Sequence, residues 1–408
     1  MAALEDAQMT DRQQPARPTS YDKKIALVLQ GGGALGSYQA GVYEALALSQ
    51  YLPDWVAGIS IGAINAAIIA GNAPETRVPR LRNFWEETTA PTASWPPGLS
   101  GLLAGWQQKA SALSSLMFGQ PGFFAPHAVH AWFLPEKPTS YYNTTALKGT
   151  LERLVDFDRI NTAKEMRFSV GAVNVRTGRF CYFDSEEIII RPEHVMASGA
   201  LPPGFPPIEI DGEHYWDGGL VSNTPLQYVL DYYPRRSRLT FQVDVFQGYG
   251  KLPRNLEEVS ERENDIRYSS RTRVNTDAFQ QRHEVRHAIN ELEKLLPESI
   301  SRTEQAKRLH AFGCVTEMDI VQLIYRPFEP QGASKDFEFS RGAMTARWEQ
   351  GRSDASTTLR IAPWLAAKPR EVGVRVFDVM HDVLVEKNQA TTKENSGVAA
   401  IDGAILAS

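Results

Sequence analysis

Residues 24–30, KIALVLQ, form a short, mainly aliphatic run that stops at three glycines, the pattern of a parallel strand buried on both faces. From Ser37 to Leu48 apolar residues recur at helical spacing. A second aliphatic piece, Trp55 to Ile59, runs straight into Ser60-Ile61-Gly62, and behind it Ala63, Ala66, Ala67 and Ala70 again keep a helical period. Two strand–turn–helix units in succession predict an α/β fold with a mainly parallel central sheet.

Between residues 91 and 138 clean periodicity gives way to prolines, glycines and the aromatics Trp95, Trp106, Phe118, Phe123, Phe124, Trp132 and Phe133. This reads as an insertion over one end of the sheet, either packed on the core or serving as a lid or lipid-contacting surface. Regular structure resumes with a helix over Thr145–Val155, strands over Arg167–Val175 and Arg179–Phe183, a further regular piece over Glu187–Arg191, and a helix from Pro192 to about Ala200. Residues 208–216 then alternate about Asp211-Gly212, a hairpin signal, and Leu239–Phe246 is a further strand.

From Asn255 to His310, Ile266, Val274, Phe279, Val285, Ile289, Leu292 and Leu296 sit among many Arg and Glu residues, which predicts long amphipathic helices. A packed apolar stripe beneath a solvated charged face is the first reading, and helices that bind a partner the second. Met318–Tyr325 is again a buried-strand pattern and Ser340–Ile361 a helical one. The expected organisation is therefore a mobile leader over 1–22, a principal domain over 23–246, a helical insertion over 250–311, a strand and helix over 312–365 that return to the core, and a tail over 366–408.

Composition narrows the function. A hydrophobic content of 42% in 408 residues can fill one large core or two smaller ones. A net charge of -5 gives no field that would draw the chain to nucleic acid. Cys181 and Cys314 lie far apart among mostly apolar neighbours and read as reduced, buried thiols, which suits a reducing compartment. The first residues lack the apolar segment of a signal peptide, and the most apolar run, Val56–Gly71, is too short to span a bilayer. The expected location is the cytoplasm, with peripheral contact at the inner face of a membrane as an option.

Three loops carry candidate chemistry. Gly31, Gly33 and Gly36 fit G-x-G-x-x-G between a strand and a helix, the context of a dinucleotide site. That reading needs an acid at the end of the second strand, and Asp54 lies before that strand instead. What stands at the strand end is Gly58-Ile59-Ser60-Ile61-Gly62, G-x-S-x-G at a strand-to-helix junction. That is the setting of a nucleophile elbow, with Gly58 and Gly62 bare so that the turn can close. The following helix points its positive end at any oxyanion formed there. A serine needs a base, and none of the eight histidines sits in a late strand-end loop with suitable surroundings. Asp217 does end a strand, before Gly218 and Gly219, although an ordinary Asp-Gly turn would look the same.

In that order and context the three loops, with Ala197-Ser198-Gly199-Ala200-Leu201-Pro202 before the last, resemble the patatin-like phospholipase family over about residues 24–230. The resemblance implies a patatin-like three-layer fold. It also implies a Ser60–Asp217 dyad in which Asp217 takes the serine proton directly, and an oxyanion hole from the amides of Gly31, Gly32, Gly33 and Ile61. Gly36, Gly58, Gly62, Gly218 and Gly219 would be its motif glycines. The implied substrate is a lipid or other acyl ester, and neither cofactor nor metal is required. Where the family often carries Arg or Lys just before the last glycine of the loop, this chain has Leu35, which weakens the case for phospholipids over neutral esters. The mechanism works best with Asp217 partly desolvated and its pKa raised. A nucleotide-binding oxidoreductase and a non-catalytic scaffold are the alternatives.

Overall fold

The computed structural model describes residues 14–89, 119–120, 122–133, 137–327, 331–332, 335–369 and 372–385. The strands among them are β1 (Lys24–Leu29), β2 (Trp55–Gly58), β3 (Ala125–Pro126), β4 (Tyr142–Asn143), β5 (Arg167–Asn174), β6 (Phe180–Asp184), β7 (Ile208–Ile210), β8 (Glu213–Asp217), β9 (Arg238–Asp244), β10 (Met318–Ile324) and β11 (Val374–Phe377). Nine of them form one sheet in the order β11-β10-β9-β1-β2-β5-β8-β7, with β6 also paired to β5, while β3 and β4 pair separately. From β11 through to β5 every pairing is parallel, and β6, β7 and β8 join antiparallel.

A parallel sheet must be covered on both faces, and strand alternation divides the core accordingly. Ile25, Leu27 and Leu29 of β1 face one cluster, which takes in the helices Gly36–Ala47, Ile61–Ala70, Pro74–Glu87 and Arg341–Ile361. Ala26 and Val28 face the other, with Leu226, Val229 and Leu230 of the helix Leu226–Asp231 and Phe279 of the helix Leu256–Leu295. The result is a three-layer α/β architecture. The helix Ile61–Ala70 is buried throughout. Its one polar side chain, Asn65, donates to Gly36 O (2.9 Å) and Gln39 Oε1 (3.0 Å) and accepts from Trp85 Nε1 (3.1 Å), so no buried amide goes unpaired.

The structure departs from the expected pattern in four places. Glu187–Arg191 is not a regular element: β6 ends at Asp184, and the amides of Glu187 and Ile188 fold back to its carbonyl at 3.0 and 2.9 Å. The expected tail includes β11, which extends the sheet beside β10. Buried Asp319 of β10 explains both that docking and how the end of the nominal leader is tied to the sheet at Tyr21, since it accepts from Arg375 (2.8 Å), Lys23 (2.6 Å) and Tyr21 (2.8 Å).

The fourth departure is in the charged region, where one 40-residue helix, Leu256–Leu295, precedes the short helices Glu298–Ser301 and Glu304–His310. Ile266, Val274, Val285 and Leu292 are exposed on it. Its buried side carries Glu261, Asp265, Ser269, Thr276, His283 and His287, with Phe279 as the apolar anchor. The polar side chains have partners to reach: His283 and His287 both meet the carbonyl of Thr316 (2.8 and 2.6 Å), and Asp265 accepts from Lys335 (2.6 Å). Of the aromatics in the expected insertion, Phe123 and Phe124 join the main core and Phe133 is exposed, while Trp95, Trp106 and Phe118 lie outside the described residues.

The helices Gly36–Ala47 and Arg341–Ile361 cross where Gly41 and Gly351 let the backbones meet. A Cβ on Gly41 would strike the carbonyl of Trp348, and one on Gly351 that of Tyr38. Gly351→Ala is therefore expected to destabilise the protein by about 1–3 kcal/mol through overpacking, seen as a lower urea midpoint at unchanged slope. Wild-type stability in this variant would contradict the tight crossing.

Candidate active site

Strand β6 pairs along one edge of β5 over Ser169–Val173, so β2 and β8 share the other edge. β2 climbs that edge as far as Gly58, opposite Val170, and β8 descends it to Asp217, opposite Ala172. The two strands run head-on and stop on either side of Gly171. Each must turn out of the sheet there: β2 into the turn bearing Ser60 and the helix Ile61–Ala70, β8 into a 3-10 turn at Gly218–Leu220.

Ser60 takes φ 56° and ψ −125°, a left-handed conformation that costs a non-glycine residue about 1–3 kcal/mol and persists only where the surroundings impose it. They do so through close backbone approach: a Cβ on Gly58 would strike the Gly62 carbonyl, and one on Gly62 the Leu29 carbonyl. The Ser60 amide donates to both the carbonyl and the hydroxyl of Ser198, each at 3.1 Å, which ties the turn to the helix Pro192–Ser198.

Asp217 is 2% exposed. Burial pushes its carboxyl from 3.8 up to about 7, against the opposing pull of hydrogen bonds from the Gly219 amide and the Ser60 side chain. The Gly219 bond to Oδ1 is 2.7 Å long. The sequence alone did not single out Asn223, which unites the loops: its Nδ2 donates to the Gly31 carbonyl at 2.9 Å, and its own carbonyl accepts from the Gly31 amide at 3.1 Å. A Cβ on Gly31 would meet Asn223 Oδ1 and lie 3.0 Å from Ser60 Cβ. The available signal was an Asn six residues beyond Asp217, which carries no pattern of its own.

The bond to Asn223 corrects one expectation, because the Gly31 amide is already engaged and is no free oxyanion donor. Gly31 serves instead by letting the loop pass close to Ser60. The amides of Gly32, Gly33 and Ile61 donate to no acceptor among the described residues, as expected for the first N–H groups of a helical turn. Gly33 takes φ 54°, and a Cβ there would strike the Asp336 carbonyl.

These groups line one cavity with about 80 Å³ of free volume, well below the roughly 300–1,000 Å³ of a site that holds a drug-sized ligand. Its other walls are mainly apolar, among them Ile64, Phe123, Phe124, Leu201, Phe205 and Phe339. Elsewhere, Leu35 is buried in the core and His214 is exposed on β8. Asp54 pairs with Arg238 (3.3 Å) at the opposite strand end, so the acid required for a dinucleotide is not supplied. Among the described residues no helix is long and apolar enough to cross a membrane.

A family model described as Patatin-like phospholipase matches residues 27–230, and a second, described as Patatin phospholipase, matches residues 266–371. Among solved structures the chain is similar to VipD from Legionella pneumophila, at 13% identity over 94% of this chain and 80% of that one, with a TM-score of 0.37. It is also similar to the type III effector protein ExoU, at 15% identity over 86% of this chain and 54% of that one, with a TM-score of 0.34. For ExoU in its heterodimeric complex with SpcU from Pseudomonas aeruginosa the figures are 17%, 73%, 59% and 0.27. The chain thus spans little more than half the length of the ExoU chains. No curated protein matches it.

A raised carboxyl pKa has a thermodynamic consequence whose sign is fixed. Between 3.8 and about 7 the unfolded chain has lost the Asp217 proton while the folded chain keeps it, so the stability due to this group is complete below that window and lost above it. Asp217→Asn is accordingly expected to melt several degrees above wild type near pH 8, with the gap closing towards pH 4. A gap independent of pH, followed by thermal denaturation, would contradict the burial of this carboxyl.

Proposed function

The chain belongs to the patatin-like phospholipase family, whose model covers half of it, and from that premise we propose that it is a serine lipid acyl hydrolase cleaving fatty-acyl esters through an acyl-enzyme, with Ser60 as nucleophile and Asp217 as general base. The observation that carries this reading is the meeting of a strained Ser60 with a buried carboxyl, for which the described residues supply no cation, in the wall of an apolar cavity. As Ser60 Oγ attacks the ester carbon, its proton passes to Asp217. The carbonyl oxygen becomes an oxyanion at the amides of Gly32, Gly33 and Ile61, donors typically worth about 10²–10³ in rate each. Asp217 then returns the proton to the departing alcohol. In the second half it takes a proton from water, the hydroxide attacks the acyl carbon, and the proton returns to Ser60 as the fatty acid leaves. A base whose pKa lies near 7 suits this exchange at neutral pH. Peripheral contact with a lipid surface would supply the substrate.

A fluorophosphonate probe is expected to label the wild type and not Ser60→Ala. Release of fatty acid from phosphatidylcholine vesicles and monoacylglycerol micelles should fall by about 10³-fold or more in Ser60→Ala and Asp217→Asn. The kcat/KM of the wild type should rise with pH through a limb near 7. Hydrolysis that survives Ser60→Ala would sink the assignment.

A further inference from the structure

The segment 335–339 closes one side of the site cavity, and Asp336 lines it beside the Gly31–Gly33 loop. Two cations adjoin Asp336, and both are engaged elsewhere. Lys335 bonds Asp265 at 2.6 Å and Glu261 at 3.3 Å on the long helix. Arg347 donates to the carbonyls of Ala34 (3.3 Å), Glu338 (3.0 Å) and Lys335 (3.1 Å). The structure describes no ion pair for the Asp336 carboxylate. Among the described residues that line the cavity, the carboxyl side chains are those of Asp217 and Asp336, and there is no Lys, Arg or His. A phosphate near the scissile ester would thus meet like charge at the cavity wall in a setting of low dielectric, while Lys335 and Arg347 are outside the lining and committed to other acceptors.

We propose that Asp336 is a specificity residue that excludes esters bearing an anionic group close to the scissile bond and directs the site to uncharged acyl esters. This rests on the reading of Ser60 and Asp217 as the dyad. Leu35 is buried and brings no charge to the loop, and Arg347, which reaches the loop at the Ala34 carbonyl, only partly offsets Asp336. Burial raises the Asp336 carboxyl from 3.8 to about 6, with Lys335 and Arg347 pulling it back. The other charged groups around it are Asp217 across the cavity, Glu261 and Asp265 behind Lys335, and Glu338 beside Arg347. The discrimination is therefore greatest where Asp336 is ionised and fades as it takes up its proton.

The test compares 1-oleoylglycerol with 1-oleoylglycerol 3-phosphate, presented in the same neutral detergent micelles, in wild type, Asp336→Asn and Ser60→Ala. The quantity read is the ratio of their kcat/KM values. Both esters use the same dyad, so any loss of activity common to both cancels in the ratio, and comparing wild type with Asp336→Asn at one pH separates the field of Asp336 from that of Asp217. The wild type is expected to favour the neutral ester by about tenfold or more near pH 8, as like charges roughly 10 Å apart at an effective dielectric near 20 would give. Asp336→Asn should bring the ratio towards one at the same pH, where the charge of the phosphate and of Asp217 is unchanged. If Asp336→Asn fails to fold, Asp336→Ser takes its place with the same readout. A wild-type ratio near one, or an equal ratio in Asp336→Asn, would overturn the proposal while leaving the dyad intact. Hydrolysis of neither ester by the wild type, or of both by Ser60→Ala, would overturn the dyad and this proposal with it.

Discussion

The shared edge of β5 is the constraint on which the site depends. A strand edge has room for one partner at each position, and here the parallel β2 and the antiparallel β8 claim consecutive stretches of it. Neither can continue past Gly171. A side chain at Gly171 would strike both Ile59 and Phe180, and a Cβ on Gly218 would lie 2.6 Å from the Gly171 carbonyl. The collision ejects two turns from the sheet at one point, bringing together Ser60 and Asp217, which stand far apart in sequence. The strain at Ser60 and the burial of Asp217 have this common origin. Asn223 then fixes the glycine loop of β1 to the same point, so three strand ends act as one unit.

Burial of a carboxylate without a cation is normally unfavourable, as at Asp217, whereas the second carboxylate, Asp336, is partly exposed and offset by Lys335 and Arg347. The polar underside of the long helix accounts for how Asp336 is held. Glu261 accepts from the amides of Gln331 and Gly332 at 3.3 and 2.9 Å, and with Asp265 it anchors Lys335. Arg347 secures the same segment from the helix Arg341–Ile361. The chain beyond residue 250 therefore shapes the wall of a cavity whose candidate dyad, Ser60 and Asp217, comes from the first 220 residues.

Much of this was legible because short motifs with strong steric demands announce themselves. Gly58-Ile59-Ser60-Ile61-Gly62 permits little besides a tight strand-to-helix turn, and alternation about Asp211-Gly212 yields the hairpin of β7 and β8. What stayed hidden depends on partners distant in sequence. The long helix was expected to bury its apolar residues, yet Ile266 and Val274 face outwards because the surface beneath offers carbonyls and a lysine rather than a greasy groove. Nothing local tells Asn223 from any other loop asparagine, or Asp336 from a solvated acid. Val374–Phe377 is too short to declare itself a strand without β10 beside it.

The two-faced sheet also explains why the match over residues 27–230 does not amount to a complete structural unit here. Within that stretch the helices packed by Leu27, Leu29 and Val56 cover one face, while only Leu226–Asp231 lies over the other. Ala26, Val28, Trp55 and Ala57 would stand open to water with that short helix alone. The helix Leu256–Leu295 supplies the missing cover through Phe279, and β10 and β11 carry the sheet outwards beneath it. Without the later residues the sheet would have an exposed apolar face and an unpaired edge at β1, where β9 now lies, both of which favour aggregation over folding. The later part of the chain is on this argument a structural requirement of the earlier part, and its influence on the cavity through Asp336 follows from that necessity.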